Sequence, residues 1–198
     1  FMEPVTWFFT GMEKHSDEKR SDLLGNTQAF LDSMIYHMSR FQYPSVLVAM
    51  NELSNHDHSR FLTRTNQTVG RTEFLGPEAA DHNVNKAVMR AAVMLQMTWP
   101  GAPTLYYGDE AGVTGWTDPD NRRTYPWGRE DQALIEYHRQ MIRIHKEHQA
   151  LITGSLKYLQ GAYKVICYGR FTEQEKMVIL INGGFDEAKV RVPVWEVG

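Results

Sequence analysis

Between residues 51 and 61 the sequence reads NELSNHDHSRF, which gathers Glu52, Asn55, His56, Asp57, His58 and Arg60 within eleven positions. A second stretch, DEAGVTGWTDPDNRRTYPWG, carries Asp109, Glu110, Asp118, Asp120, Asn121 and Arg122 together with Trp116 and Trp127. Carboxylates and an arginine can hold hydroxyl groups through paired hydrogen bonds, and aromatic rings offer flat apolar faces. With Tyr106 and Tyr107 just ahead of the second stretch, this mixture suits a sugar. From pattern alone, solvated loop charges that cap the following helices are an equal reading.

Other chemistries fit less well. His56, Asp57 and His58 are metal-ligand types, but adjacent residues of an extended segment project in opposite directions and do not converge on one ion. His138, His145 and His148 share a helix face with Met141, and no cysteine or carboxylate stands at ligand spacing, so they read as packing residues. DPDNRRTYPWGRE has the look of a calcium loop, yet it lacks glycine at the sixth position and sets arginines where acceptors belong. That excludes a helix-loop-helix calcium site and leaves calcium held by separate loops open. There is no G-x-S-x-G elbow, no G-x-G-x-x-G and no phosphate loop.

The chain around these stretches is globular in composition, with 42% hydrophobic and 23% charged residues over 198 positions. Its formal net charge of -3, with scattered basic residues, gives no electrostatic case for nucleic acid. No apolar run approaches the roughly 20 residues of a membrane span, and no signal peptide is visible, so the expectation is a cytoplasmic protein. The lone Cys167 excludes an internal disulfide. FMEPVTWFF at the start and VPVWEVG at the end both read as cuts through a longer protein.

Periodicity supplies the scaffold. Leu24, Leu31, Met34, Ile35, Met38 and Phe41 predict a helix over 22–41, ended by Tyr43-Pro44. SVLVAMNEL predicts a strand buried on both faces, and a helix over 83–98 follows with Val84, Ala87, Val88, Ala91, Met94 and Leu95 inward. APTLYYG (Ala102 to Gly108) predicts a second buried strand, and 130–149 a third helix. Strands alternating with helices predict a parallel sheet with crossovers, whose ligands sit at the carboxyl ends of the strands, where both polar loops emerge. After Leu151, GSLKYL, YKVICYGRF, KMVILIN and KVRVPV read as antiparallel strands, with Asn182-Gly183-Gly184 as a turn. The expected division is therefore 1–150, an α/β unit, and 151–198, an all-β module. Two parallel strands with bare edges predict that the first unit belongs to a larger α/β body.

NELSNHDHSRF resembles the last of the four signature stretches of the α-amylase family, glycoside hydrolase family 13. GAPTLYYGDEAG followed by DPDNRRTYPWG resembles that family's segment through its eighth barrel strand. The nearest likeness is to the neopullulanases, cyclomaltodextrinases, maltogenic amylases and pullulanase-like α-glucan hydrolases. The resemblance implies that residues 1–150 are the C-terminal part of a (β/α)8 TIM barrel and that 151–198 begin an antiparallel β-sandwich. It implies retaining hydrolysis of an α-glucan or maltooligosaccharide, at α-1,4 and in some members α-1,6 bonds, with no cofactor. Asp57 matches the acid that holds sugar hydroxyls in the transition state and His56 its neighbour, while Asp118 and Arg122 match a pair contacting sugars further along.

No stretch resembles the G-x-R-x-D signature of the nucleophile or that of the general acid. The expectation is a fragment that binds α-glucan weakly and does not cleave it alone; an oligomer is compatible. A non-catalytic relative that keeps the barrel as an interaction scaffold is the alternative. A carbohydrate-binding module fits the helix-rich front poorly.

Overall fold

The computed structural model describes residues 1–197. In chain order it forms α1 (Met2–Thr10), α2 (Thr27–Met38), α3 (Tyr43–Leu47), β1 (Met50–Glu52), α4 (Phe61–Arg64) and α5 (Thr72–Leu75). Then come α6 (Lys86–Thr98), β2 (Ala102–Thr104), α7 (Gln132–Glu147), α8 (Gln149–Ile152), β3 (Ser155–Tyr158), β4 (Val165–Phe171) and β5 (Lys176–Asn182). The long helices start where a side chain can take up their free N–H groups. Asn26 accepts from the Ala29 N–H, Asn85 from Ala87 and Val88, and Asp131 from Leu134, all within 3.2 Å. Such a cap is worth about 1 kcal/mol.

β1 and β2 pair in parallel, Asn51 opposite Pro103, as the alternation of elements predicts. Both are far shorter than the apolar runs suggest. Pro44 falls in the first turn of α3, where its fixed φ favours helix, so SVLVAMNEL divides into a helix and a three-residue strand. The expected two-faced burial fails there, since Val48 is 73% and Met50 61% exposed. Pro103 has no N–H to extend the ladder of β2. Helix α6 completes the pair: Gln96 donates its amide to Asn51 O at 3.0 Å and Thr104 O at 2.9 Å.

The predicted stripes hold for the most part: Leu31, Met34 and Leu95 are buried, and Met38, Val84, Val88, Ala91 and Met94 pack partly buried against the core. α6 buries Met89, Ala92, Val93 and Leu95, while Ala87 is exposed. In α2 the buried residues are Thr27, Phe30, Leu31 and Met34, and Ile35 points to solvent. Helix α1, which the periodicity does not announce, buries Val5, Phe8 and Phe9 beside α2.

A row of aromatic contacts runs through the core: Phe8 to Phe30 at 5.0 Å, Phe30 to Trp99 at 5.8 Å, and Trp99 to Tyr168 at 5.0 Å. It carries the core from α1 into β4. There β3, β4 and β5 form one antiparallel sheet with β4 central. Along β5, Ile179 and Ile181 alternate inward with exposed Val178 and Leu180 outward, the period-two pattern of a half-buried strand. The expected sandwich is not formed among the described residues. KVRVPV makes no strand, because Pro193 leads into a short 3-10 turn at Val194–Val197 that packs on β4. No helix among the described residues is long and apolar enough to cross a membrane.

The β1–β2 pair has bare outer edges among the described residues, and Phe41, Val48 and Met50 lie exposed on the β1 side. Apolar surface of this kind next to an unpaired strand seeks a partner. Purified alone at micromolar concentration, the chain is expected to associate by sedimentation velocity, and Val48→Lys with Met50→Lys to reduce that association. A monomer that unfolds cooperatively would contradict this.

Candidate functional site

The first polar loop leaves β1 through residues held from within. Asn51 is buried, and its amide donates to Trp99 O at 3.1 Å and Pro100 O at 3.2 Å. A Cβ on Gly101 would stand 2.5 Å from the Asn51 side-chain oxygen, so only glycine fits that approach. Beyond Glu52, Asn55 donates to Glu52 Oε1 at 2.7 Å, and its own Oδ1 accepts from the Asp57 N–H at 3.0 Å. This Asx turn swings the chain outward. Asp57 and His56 thus project into solvent beyond the carboxyl end of β1, with Nε2 of His56 3.2 Å from Oδ1 of Asp57.

The second loop is tied to the first by two buried side chains. Arg60 has no exposed surface; its Nε donates to Asn121 O at 2.8 Å, and Nη1 to Tyr107 O at 2.7 Å and Asp109 Oδ1 at 3.0 Å. Its guanidinium also lies 3.9 Å from the Tyr106 ring centroid. Burial pushes the Asp109 carboxyl above its ordinary range, and the Arg60 charge pulls it back. Asn121 is equally buried, and its amide donates to His56 O at 2.9 Å and His58 O at 2.7 Å. The two residues close a circuit: loop one holds loop two through Arg60, and loop two holds loop one through Asn121. Gly115 lets the strands of this knot pass, since a Cβ there would meet Asp120 O at 2.5 Å.

On the second loop Asp118 pairs with Arg122, whose Nε donates to Asp118 Oδ1. That bond holds the Arg122 pKa above its ordinary value, with smaller contributions from Tyr106 and from Asp57. All four side chains singled out in the sequence, His56, Asp57, Asp118 and Arg122, are exposed, on loops that one circuit fixes together.

The aromatic candidates divide. Trp116 is wholly buried, its indole N–H bonded to Gly76 O at 3.0 Å, so it supports the loop and offers no stacking face. Trp127 is 80% exposed against Tyr125, and Tyr107 is half in solvent with its hydroxyl on Arg123 O. The remaining carboxylates of the neighbourhood are engaged: Asp109 by Arg60, Glu52 by Asn55, and Glu110 by the Gly108 N–H at 2.9 Å. Asp120 accepts from Trp116 N and from Arg123.

A third segment, residues 12–20, backs the first loop and carries no signal in the sequence. Ser59 Oγ donates to Lys14 O at 3.0 Å and lies 2.9 Å from Ser16 Oγ. The His15 and His58 rings sit 4.9 Å apart. Burial, then the charges of Arg64, His15 and Lys14, bring the His58 pKa down to about 4, against a small opposing pull from Asp57. Glu13, His15 and Asp17 lie within metal-ligand distance of one another. Their oxygens are already taken up: Glu13 pairs with His15 at 2.8 Å and accepts its N–H, and Asp17 pairs with Arg71. His138, His145 and His148 each serve a different partner, Leu134 O, Met97 O and Glu175.

The family model described as "Alpha amylase, catalytic domain" matches residues 5–150. An amylopullulanase from Thermoanaerobacter thermohydrosulfuricus is 40% identical over 139 residues, 66% of this chain and 9% of the relative. Neopullulanase 2 from Thermoactinomyces vulgaris is 29% identical over 204 residues, covering 100% of this chain and 30% of its own length. In structure the chain is similar to the crystallised debranching enzyme from Nostoc punctiforme, with a TM-score of 0.78 and 26% identity, over 96% of this chain and 37% of that one. The chain thus spans well under half of each of these proteins.

Two outcomes follow from the loop geometry. Asn121→Ala strips the donor from two carbonyls and is expected to cost about 1–3 kcal/mol. Faster hydrogen exchange over residues 55–60 would accompany it; unchanged exchange would refute the clamp. Between pH 6.5 and about 4 the unfolded chain binds a proton at His58 that the folded chain refuses, so this residue makes stability fall as pH drops through that window. Melting temperatures for His58→Gln should decline less steeply there than for the unaltered protein, and parallel curves would exclude the effect.

Proposed function

The chain belongs to the alpha-amylase catalytic-domain family, and from that premise we propose that it is the C-terminal part of a retaining glycoside hydrolase acting on α-glucans. The observation that carries this reading is the exposed His56–Asp57 pair just beyond the carboxyl end of β1, on a loop that buried Arg60 and Asn121 tie to the loop bearing the exposed Asp118–Arg122 pair. The names of the relatives, amylopullulanase and neopullulanase, favour the same substrate class. In this reading β1 and β2 are neighbouring strands of a (β/α)8 barrel, and both loops open on its catalytic face.

Asp57 accepts hydrogen bonds from hydroxyls of the sugar at the cleavage point. As that ring flattens toward an oxocarbenium ion, those bonds strengthen, so they lower the barrier rather than merely tighten binding. His56 fixes the carboxylate from one side. Asp118 and Arg122 hold the next sugar, the carboxylate accepting from hydroxyls and the guanidinium donating to them. The nucleophile and the general acid lie outside this chain, a reading that fits the engagement of Glu52, Asp109 and Glu110 in structural bonds. A non-catalytic scaffold has no use for two exposed charge pairs on loops tied together by buried Arg60 and Asn121.

In the protein that carries all three acids, Asp57→Asn is expected to lower kcat on maltooligosaccharides by about a hundredfold. Near-normal turnover would sink the role given to Asp57. This chain by itself should release no reducing sugar from starch, pullulan or cyclodextrin.

A further inference from the structure

We propose a second α-glucan-binding site, in the cleft between the α1–α2 connection and the β3–β4 connection. The proposal rests on the substrate class given above, but not on the catalytic role of Asp57. The cleft has a volume of about 420 Å³, in the range of small-ligand sites, and none of His56, Asp57, Asp118 or Arg122 lines it.

Its floor is locked. The Lys164 N–H donates to Gly25 O at 2.8 Å, and Thr27 Oγ1 donates to Ala162 O at 2.5 Å, so the two connections are joined by hydrogen bonds across the base. Gly25 and Gly161 make that approach sterically open. A Cβ on Gly161 would overlap the Tyr158 hydroxyl and Thr27, and one on Gly25, whose φ is +67°, would overlap Lys164. A cleft built this way needs little ordering when a ligand arrives.

The walls define the ligand's chemistry. Tyr163 is 68% exposed, and the Lys164 ammonium lies 5.2 Å from its ring centroid, which steadies a ring that otherwise stands in solvent. Tyr158 stands half-buried beside it, and Ser21, Asp22 and Gln28 supply hydroxyl, carboxylate and amide groups. The cations beside the lining residues are engaged, Arg20 with Asp22 at 3.6 Å and Lys164 with the Tyr163 ring, which disfavours an anion, and the polar groups disfavour a purely apolar ligand. A neutral polyhydroxylated ring with one flat face satisfies both the aromatic and the polar walls. The cleft joins the front of the chain to the β3–β4 sheet, and no residue of the Asp57 loop lines it.

The test uses the full-length protein and glycogen as the probe, with gel retardation as the readout, and maltotriose turnover beside it. Tyr163→Ala is expected to weaken retardation by about tenfold, on the scale of one lost aromatic contact, and to leave maltotriose turnover unchanged. Gln28→Ala should weaken it less. Asp57→Asn should lower turnover by about a hundredfold and leave retardation intact. Wild-type retardation in Tyr163→Ala overturns the proposal, as does equal retardation by a β-linked glucan, and so does a parallel loss of maltotriose turnover. If turnover survives Asp57→Asn while retardation still depends on Tyr163, the catalytic reading fails and this one stands.

Discussion

A guanidinium with no exposed surface is an expensive thing to fold around, and the site depends on the partners that Arg60 finds through Nε and Nη1, since its buried Nη2 has none. Its charge meets the Asp109 carboxylate, two backbone carbonyls from different segments, and the face of Tyr106. Removing a single partner from so buried a cation leaves desolvation uncompensated, a loss of several kcal/mol. The knot therefore has one good arrangement, and the two loops inherit it. What reaches solvent, the His56–Asp57 and Asp118–Arg122 pairs, is positioned by groups that never touch solvent.

The same device recurs in the interior. Arg64 is buried, bonded to Thr6 and to Leu53 O, and its pKa is drawn down to about 10 by burial. Arg170, on β4, donates to Thr98 O at 2.7 Å and Gly154 O at 3.0 Å. Each of these long planar donors ends near a point where a helix or strand leaves carbonyls unpaired, and carries their hydrogen bonds across a junction that regular structure cannot bridge. Stability and site geometry share this origin, because Arg60 stands at the N-terminal cap of α4 and Arg64 at its last position.

Much of this was legible in the sequence, and what was not has a physical reason. The two polar stretches stand out because charged residues directly follow apolar runs, and the order of helices and strands predicts the parallel pairing that puts both loops on one side. The amphipathic helix 130–149 matches α7 closely, since its polar face is strongly charged. Apolar runs misled where burial came from neither face: SVLVAMNEL is half helix because Pro44 suits a first turn. KVRVPV alternates like a strand, but Pro193 starts a turn instead. Trp116 reads as a stacking ring until its indole is found bonded inside the loop. Asn121 and Arg60 were visible only as two more polar loop residues. Nothing in their spacing tells that both are buried, since what buries them is the meeting of segments some sixty positions apart.

The row Phe8, Phe30, Trp99 and Tyr168 has a bearing on how such proteins can be recombined. Phe8 meets Phe30 at a tilt, the two later pairs meet edge to face, and the Tyr168 hydroxyl closes on Thr98 Oγ1 at 2.5 Å. A β-sheet grafted from another protein onto residue 150 would arrive without a ring shaped for Trp99 or an arginine for the end of α6. The C-terminal strands are thus less an interchangeable appendage than the last course of masonry in the wall they close.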